Sequence, residues 1–290
     1  MDIRAILMGL AFALMWSSAF TSARIIVADA PAVASLSLRF FISGVIGVAV
    51  ARALGQSWKL TGKQWRAVLI FGLCQNAAYL GLYFVAMKSV EASLASILAS
   101  TMPLIVAVLG WAILRDRLAP LAVGGLIVGF VGVAVIMGGR LSGGADPFGV
   151  ALCVIGALAL AVATLAVRGA QSQGNVLMIV GLQMFVGAVV LAVISPFVES
   201  HEVAFSAKLV VAFAYTVLVP GLLATWVWFT LVNRIGTVKA SAFHFLNPFF
   251  GVAIAALLLG EHVTPQDIIG VAIVMAGILA VQMAKVVKQS

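Results

Sequence analysis

Charge is what this 290-residue sequence has least of: Asp, Glu, Lys and Arg together make up 9% of it. A soluble domain carries about 25% charged residues, so a water-soluble enzyme, a disordered chain and a nucleic-acid reader are all excluded. Cysteine is nearly missing as well. Cys74 and Cys153 both sit in apolar runs and offer neither a disulfide framework nor the spacing of a metal site. Catalytic signatures are absent too: no Gly-x-Ser-Gly nucleophile, no paired Asp-rich motifs for a metal-bound diphosphate, and no Walker sequence for ATP. An intramembrane enzyme and an ATP-driven pump fall away, and no cofactor is implied. What is there is apolar. Hydrophobic residues are 64% of the chain and mean hydropathy is +1.22, the mark of an integral membrane protein whose surroundings are the lipid bilayer.

A helix needs about 20 mostly apolar residues to cross the hydrocarbon core. Stretches free of Asp, Glu, Lys and Arg cover 5–23, 67–87, 92–114, 118–139, 147–167, 169–198, 209–233, 240–260 and 268–284. A tenth, between Asp29 and Arg52, is interrupted only by Arg39. None alternates with the period of two of a membrane β-strand, and backbone groups in lipid must bond within their own segment. The sequence therefore predicts an all-α protein of ten transmembrane helices. Pro31, Pro120, Pro147 and Pro265 each stand at the start of a run, where the missing N–H was unpaired anyway. The first run ends without a persuasive cleavage site and is read as a retained helix.

Ten crossings bring the carboxyl end back to the side of the amino end. Loops on that side hold twelve Lys and Arg, Arg168, Lys285 and Lys288 among them, against Asp2 and Asp116. Opposite loops hold Arg24, Lys88, Arg140 and Lys208 against seven acids. By the positive-inside bias both termini are expected in the cytoplasm. The formal charge of +8 is a topology signal and calls for no nucleic acid.

The halves coincide at special residues when shifted by 145 positions: Pro103 falls on Pro248, Pro120 on Pro265, Ala95-Ser96 on Ala240-Ser241, Asp116 on Glu261, Gly125 on Gly270 and Gly132 on Gly277. Five helices per half is an odd number, so the units 1–141 and 146–290 are expected to enter the membrane from opposite sides. Inverted repeats of this kind underlie many secondary transporters, with the substrate near the midplane between the repeats.

Ala240-Ser241, Pro248, Leu259-Gly260-Glu261, Gly270 and Gly277 resemble the EamA-type repeat of the drug/metabolite transporter superfamily. The first copy departs from it, with Arg115-Asp116 in place of Gly-Glu, while Met15-Trp16-Ser17-Ser18-Ala19-Phe20 and Leu38-Arg39-Phe40 are again similar. Within that superfamily the likeness is to bacterial inner-membrane exporters of amino acids, including aromatic ones. The resemblance implies a multi-pass inner-membrane protein that moves small molecules by alternating access. Drug or metabolite efflux and nucleotide-sugar transport are the alternatives on the same fold, the latter disfavoured because Arg39 is the one basic residue within a span. A monomer is compatible with all this, and oligomeric state stays open.

No acidic residue lies deep in a span, which argues against a proton-coupled antiporter of organic cations and for a cargo whose own charges balance. Whether a proton or the substrate gradient drives transport is left open. Gln75, Tyr79 and Tyr83 recur on one face of the third span, with Asn76 adjoining. Ser96 and Ser100 share a face of the fourth, and Trp228 in the eighth is the repeat mate of Tyr83. Ser241, His244, Asn247 and Gly251 form a polar stripe at spacings of three, three and four. Amide, hydroxyl and aromatic groups of this kind would suit a zwitterionic amino acid, and ordinary interhelical packing is the competing reading. Of the tyrosines, Tyr83 suits a membrane-interface belt best. Pro103 and Pro248 are expected as hinges, since each frees a carbonyl one turn back. Arg39 is read first as snorkelling or helix-end pairing, and otherwise as a carboxylate or gating contact within the bundle. It is not assigned to substrate.

Overall fold

The structure is a computed structural model describing residues 3–166 and 175–287. Asp2, Arg168, Lys288 and the side chain of Lys285, which entered the charge count, lie outside the described residues. Ten helices are long and apolar enough to cross a membrane: α1 (Ile3–Asp29), α2 (Ala32–Ala53), α3 (Gly62–Ala86), α4 (Ala92–Leu114), α5 (Pro120–Ser142), α6 (Pro147–Ala166), α7 (Val176–Val198), α8 (Ala207–Ile235), α9 (Lys239–Leu259) and α10 (Pro265–Ala284). Several outrun the charge-free stretches. α1 continues past Arg24 to Asp29, because a charged side chain at a helix end can reach the interface without ending the helix.

The inverted repeat is visible in the packing. α1 of the first half rests on α8 and α9 of the second, and its repeat mate α6 rests on α3 and α4. The remaining helices pair as α2 with α7 and α5 with α10, and glycine sets both seams. A Cβ on Gly181 would stand 2.9 Å from the Val48 nitrogen and 3.3 Å from the Gly44 carbonyl. One on Gly132 would stand 2.7 Å from the Val274 nitrogen. Gly125, Gly132, Gly270 and Gly277 thus serve packing between α5 and α10 of one chain.

Helix irregularities also repeat. α3 widens into π-helical turns over Phe71–Leu80, and α8 does so over Val217–Leu223 around Pro220. A shift of 145 carries 71–80 onto 216–225. α4 breaks at Thr101, one residue before a helix with Pro103 at its second position. α9 tightens to a 3₁₀ turn over Phe243–Leu246 before a helix with Pro248 in the same place. Hydroxyls cover some of the carbonyls at the first break: Ser100 Oγ donates to Ser96 O at 2.7 Å and Thr101 Oγ1 to Leu98 O at 2.6 Å.

Helix starts are capped from across the repeat. The Glu199 carboxylate, at the end of α7, accepts from the Val33 and Ala34 nitrogens at the start of α2. Gln56, beyond the end of α2, accepts from the Met178 nitrogen of α7 in return. Glu261, after α9, accepts from Ala92 and Ser93 at the start of α4. Each satisfies donors that a helix cannot pair itself and sets an acceptor on its positive end. Asp146 does this locally for α6. The Ser89 hydroxyl and the Gly149 and Phe148 nitrogens all donate to it and hold its carboxyl below the usual range.

Candidate functional site

A cavity of about 250 Å³ lies between the two halves. The π-helical turns of α3 bring Gln75, Asn76 and Leu80 to it, and those of α8 bring Pro220 and Gly221. Such turns advance the side chains out of α-helical register and are frequent at functional sites. A proline lacking its N–H, next to a glycine lacking a Cβ, gives α8 little reason to keep regular bonding there.

One wall is aromatic. The His244 ring stands edge-on to Phe12 at 5.2 Å and to Trp16 at 6.3 Å, and lies 5.1 Å from Trp228. Phe12 and Trp228 are 4.7 Å apart. Asn247 Nδ2 is 3.0 Å from His244 Nδ1. With the amide as donor, Nδ1 accepts and the ring proton sits on Nε2. The 3₁₀ turn before Pro248 is what directs His244 into this wall, because it breaks the helical register between Ser241 and Asn247.

Facing this wall are amides and Arg39. Gln75, Asn76 and Gln183 all line the cavity, and Asn76 Nδ2 donates to the Gln183 carbonyl at 2.9 Å. Arg39, buried on α2, lies in the lining too, with its guanidinium carbon 5.3 Å from the Phe40 ring centroid. It points into the bundle and does not snorkel outward. The reason is positional: about two turns in from the helix start, the inward face of α2 meets the π-helical turn of α8, where Pro220 leaves a backbone carbonyl without its helical donor.

Away from the termini the cavity is blocked. Tyr79 and Tyr83 pack at 4.7 Å and Phe20 stands 6.0 Å from Tyr83, leaving only about 40 Å³ beside Trp16, Arg39 and Gln75. Past them Arg24 Nη1 donates to the Met87 carbonyl. An outer hollow of about 450 Å³ follows, lined by Arg24, Lys88, Lys208, Glu91 and Glu261. Toward the termini the lining instead continues to Thr164 and Val176, near the ends of their helices. Tyr83 is therefore no interface-belt residue. It is fully buried, against the Gly156 face of α6.

The structure brings Gln75, Asn76, Trp228, His244 and Arg39 to one cavity and Tyr79 and Tyr83 to its plug. It does not bring the serines there. Ser96 is buried against Gly251 and donates to the Asn247 carbonyl at 3.4 Å, and Ser100 bonds within its own helix. Ser241 donates to Gln282 of α10 at 3.3 Å. Asn247 stands behind His244, its carbonyl accepting from Ser17 at 3.2 Å. Ser96, Ser241 and Asn247 thus sit in helix–helix contacts and Ser100 bonds within α4, because short polar side chains on a crowded face are taken up by nearby backbone, by Gln282 or by His244. Pro103 and Pro248 stand just past the two breaks, and their placement beside α4 and α9 irregularities leaves both outside the lining. Sequence reasoning missed Phe12, Trp16, Gln183 and Gly221. Phe12 and Trp16 recur at helical spacing, and Gln183 is the one amide of α7, which were the signals available.

The chain's likenesses agree with this architecture. The profile of the EamA-like transporter family matches it twice, over residues 3–138 and 147–283. The uncharacterized transporter YvbV of Bacillus subtilis is 26% identical over 92% of this chain and 88% of its own. An uncharacterized transporter of Archaeoglobus fulgidus is 28% identical over 92% and 94%. One solved chain, described as "Crystal structure of protein", superposes with a TM-score of 0.69 at 21% identity, over 99% of this chain and 100% of that one, which speaks for the fold alone. Two matches, one in each half, on ten spans around a shared cavity place this chain in the EamA-like transporter family, as a multi-pass membrane protein that carries a small molecule.

Proposed function

We propose that this transporter exports neutral amino acids, aromatic ones among them, from a bacterial cytoplasm across the inner membrane. Both termini lie in the cytoplasm in this reading, and the units 1–141 and 146–290 rock against each other about Pro103 and Pro248. Gln75, Asn76, Trp228 and His244 contact the cargo, and Tyr79 with Tyr83 closes the exit. The observation that carries the reading is the cavity between the repeats: blind at the end away from the termini, aromatic on one wall, amide-lined on the other, and without a carboxylate among its lining residues. A cationic drug would find no counter-charge there, whereas a neutral zwitterion with a large side chain finds apolar area and hydrogen-bond partners. Closure on the far side is what an exporter loading from the terminal side requires.

The test is counterflow in reconstituted vesicles with labelled phenylalanine, a nucleotide sugar and an organic cation. Phenylalanine should exchange and the other two should not. Trp228→Ala and His244→Ala should each lower phenylalanine exchange at least tenfold in protein that still elutes as one folded species. Unchanged rates in both variants, or exchange of the cation in preference, would reject this cargo.

A further inference from the structure

Among the described residues, none balances the buried charge on Arg39. Only 7% of the residue is exposed, its Nε has no hydrogen-bond partner, and no ion pair reaches it among the described residues. All nine acids of the sequence fall at helix ends or in loops. A guanidinium does not shed its proton in a protein, and an unpaired charge in a low-dielectric interior is strongly unfavourable. Arg140 shows the contrast. Also partly buried, it is held by Asp267 at 2.9 Å and by Glu91.

The groups around Arg39 are arranged toward an acceptor. Ser43 Oγ, one turn further along α2, is buried without a partner, and so is the Tyr83 hydroxyl, which lines the small pocket beyond Arg39. Opposite stands Gly221 of the π-helical turn. A Cβ there would lie 3.1 Å from the Thr216 carbonyl oxygen, 3.4 Å from Ser43 Oγ and 3.9 Å from Arg39 Nη2, so the missing side chain leaves about a methyl group's space beside the guanidinium. A planar fork with five donors matches a carboxylate bidentately, and one guanidinium balances one negative charge. The aromatic wall of Phe12, Trp16 and Trp228 shares this cavity with it.

We infer that Arg39 is a substrate-binding residue that takes the carboxylate of the cargo, so that a single carboxylate, and not an ammonium group, is the element the site requires. The inference rests on the central cavity being the cargo site, as proposed above, and deepens it: aromatic monocarboxylates without an amino group belong to the same substrate class.

Binding and transport are read separately, on the full chain. In detergent, thermal stabilisation is measured with phenylalanine, 3-phenylpropionate and phenethylamine; in vesicles, the same compounds compete for phenylalanine counterflow. Phenylalanine and 3-phenylpropionate should bind within about tenfold of each other and phenethylamine should be at least 100-fold weaker. Arg39→Gln should lose at least 100-fold for both carboxylates, and Arg39→Lys, which keeps the charge and loses the fork, about tenfold. Gly221→Val keeps Arg39 and fills the space at its fork; it should lose carboxylate binding as Arg39→Gln does, which decides the matter if Arg39→Gln fails to fold. Unaltered carboxylate binding in folded Arg39→Gln, or in Gly221→Val, overturns the inference, as does wild-type protein that prefers phenethylamine or is stabilised by neither carboxylate. Carboxylate binding that depends on Arg39 without any counterflow would reject the export reading and leave this site standing.

Discussion

Gly124 and Gly125 are neighbours on α5 but point about 100° apart around the helix, which turns one substitution into its own control. Alanine at Gly124 meets nothing within 4 Å. At Gly125 its Cβ would stand 2.8 Å from the Gly277 carbonyl oxygen, 2.9 Å from the Ala280 Cβ and 2.9 Å from the Val281 nitrogen. Two of those three are backbone atoms of α10, so no side chain can rotate away and the helices must part. Both variants gain the same helix propensity, about 0.8–1 kcal/mol for replacing glycine by alanine, and this cancels in their difference. What remains is the steric term, about 1–3 kcal/mol for overpacking a close seam. At about 1.4 kcal/mol per tenfold, the folded-to-unfolded ratios of the two should differ by about fivefold to somewhat over a hundredfold. Thermal or denaturant unfolding of the purified protein in one detergent reads this directly. Gly124→Ala should match or exceed the wild type and Gly125→Ala should fall below it. Superimposable curves would mean that α5 and α10 do not meet backbone to backbone, and the packing argument would fail with them.

Two further perturbations separate kinds of charge at the helix ends. Arg140→Ala leaves Asp267, whose side chain is 1% exposed, without its ion pair, and breaking such a buried pair costs about 3 kcal/mol. Lys88→Ala removes a contact at 4.0 Å made by a half-exposed side chain, so its cost should stay under about 1 kcal/mol; equal losses of stability in the two variants would contradict this ranking. Asp146 titrates below its ordinary value of 3.8 because Ser89 and the first nitrogens of α6 donate to the ionised form. A lowered folded-state value means stability that is complete above the unfolded value and lost as pH falls through the folded one. Asp146→Asn should therefore flatten the acid side of the melting-temperature profile below about pH 4 and leave the neutral side parallel to wild type; a changed slope at neutral pH would contradict it.

Composition and period alone decided that this chain crosses a membrane ten times, because an unpaired backbone in hydrocarbon leaves helix as the only choice for runs of this length. The 145-residue correspondence of Pro103 with Pro248 and Gly132 with Gly277 was equally legible, since proline and glycine act through their own backbone and carry their consequences wherever the chain goes. So was the aromatic and amide character of the cavity lining, through Gln75, Asn76, Trp228 and His244. Which polar groups were free was decided only by the tertiary structure. Ser96, Ser100 and Ser241 look the same in sequence as a residue lining a cavity, yet neighbouring backbone and Gln282 take their hydroxyls. Arg39 looked like a side chain that could reach water, and the bundle turned it inward without a partner. A hydrogen bond is a relation between two groups far apart in the chain, and no single segment records whether its partner will be there.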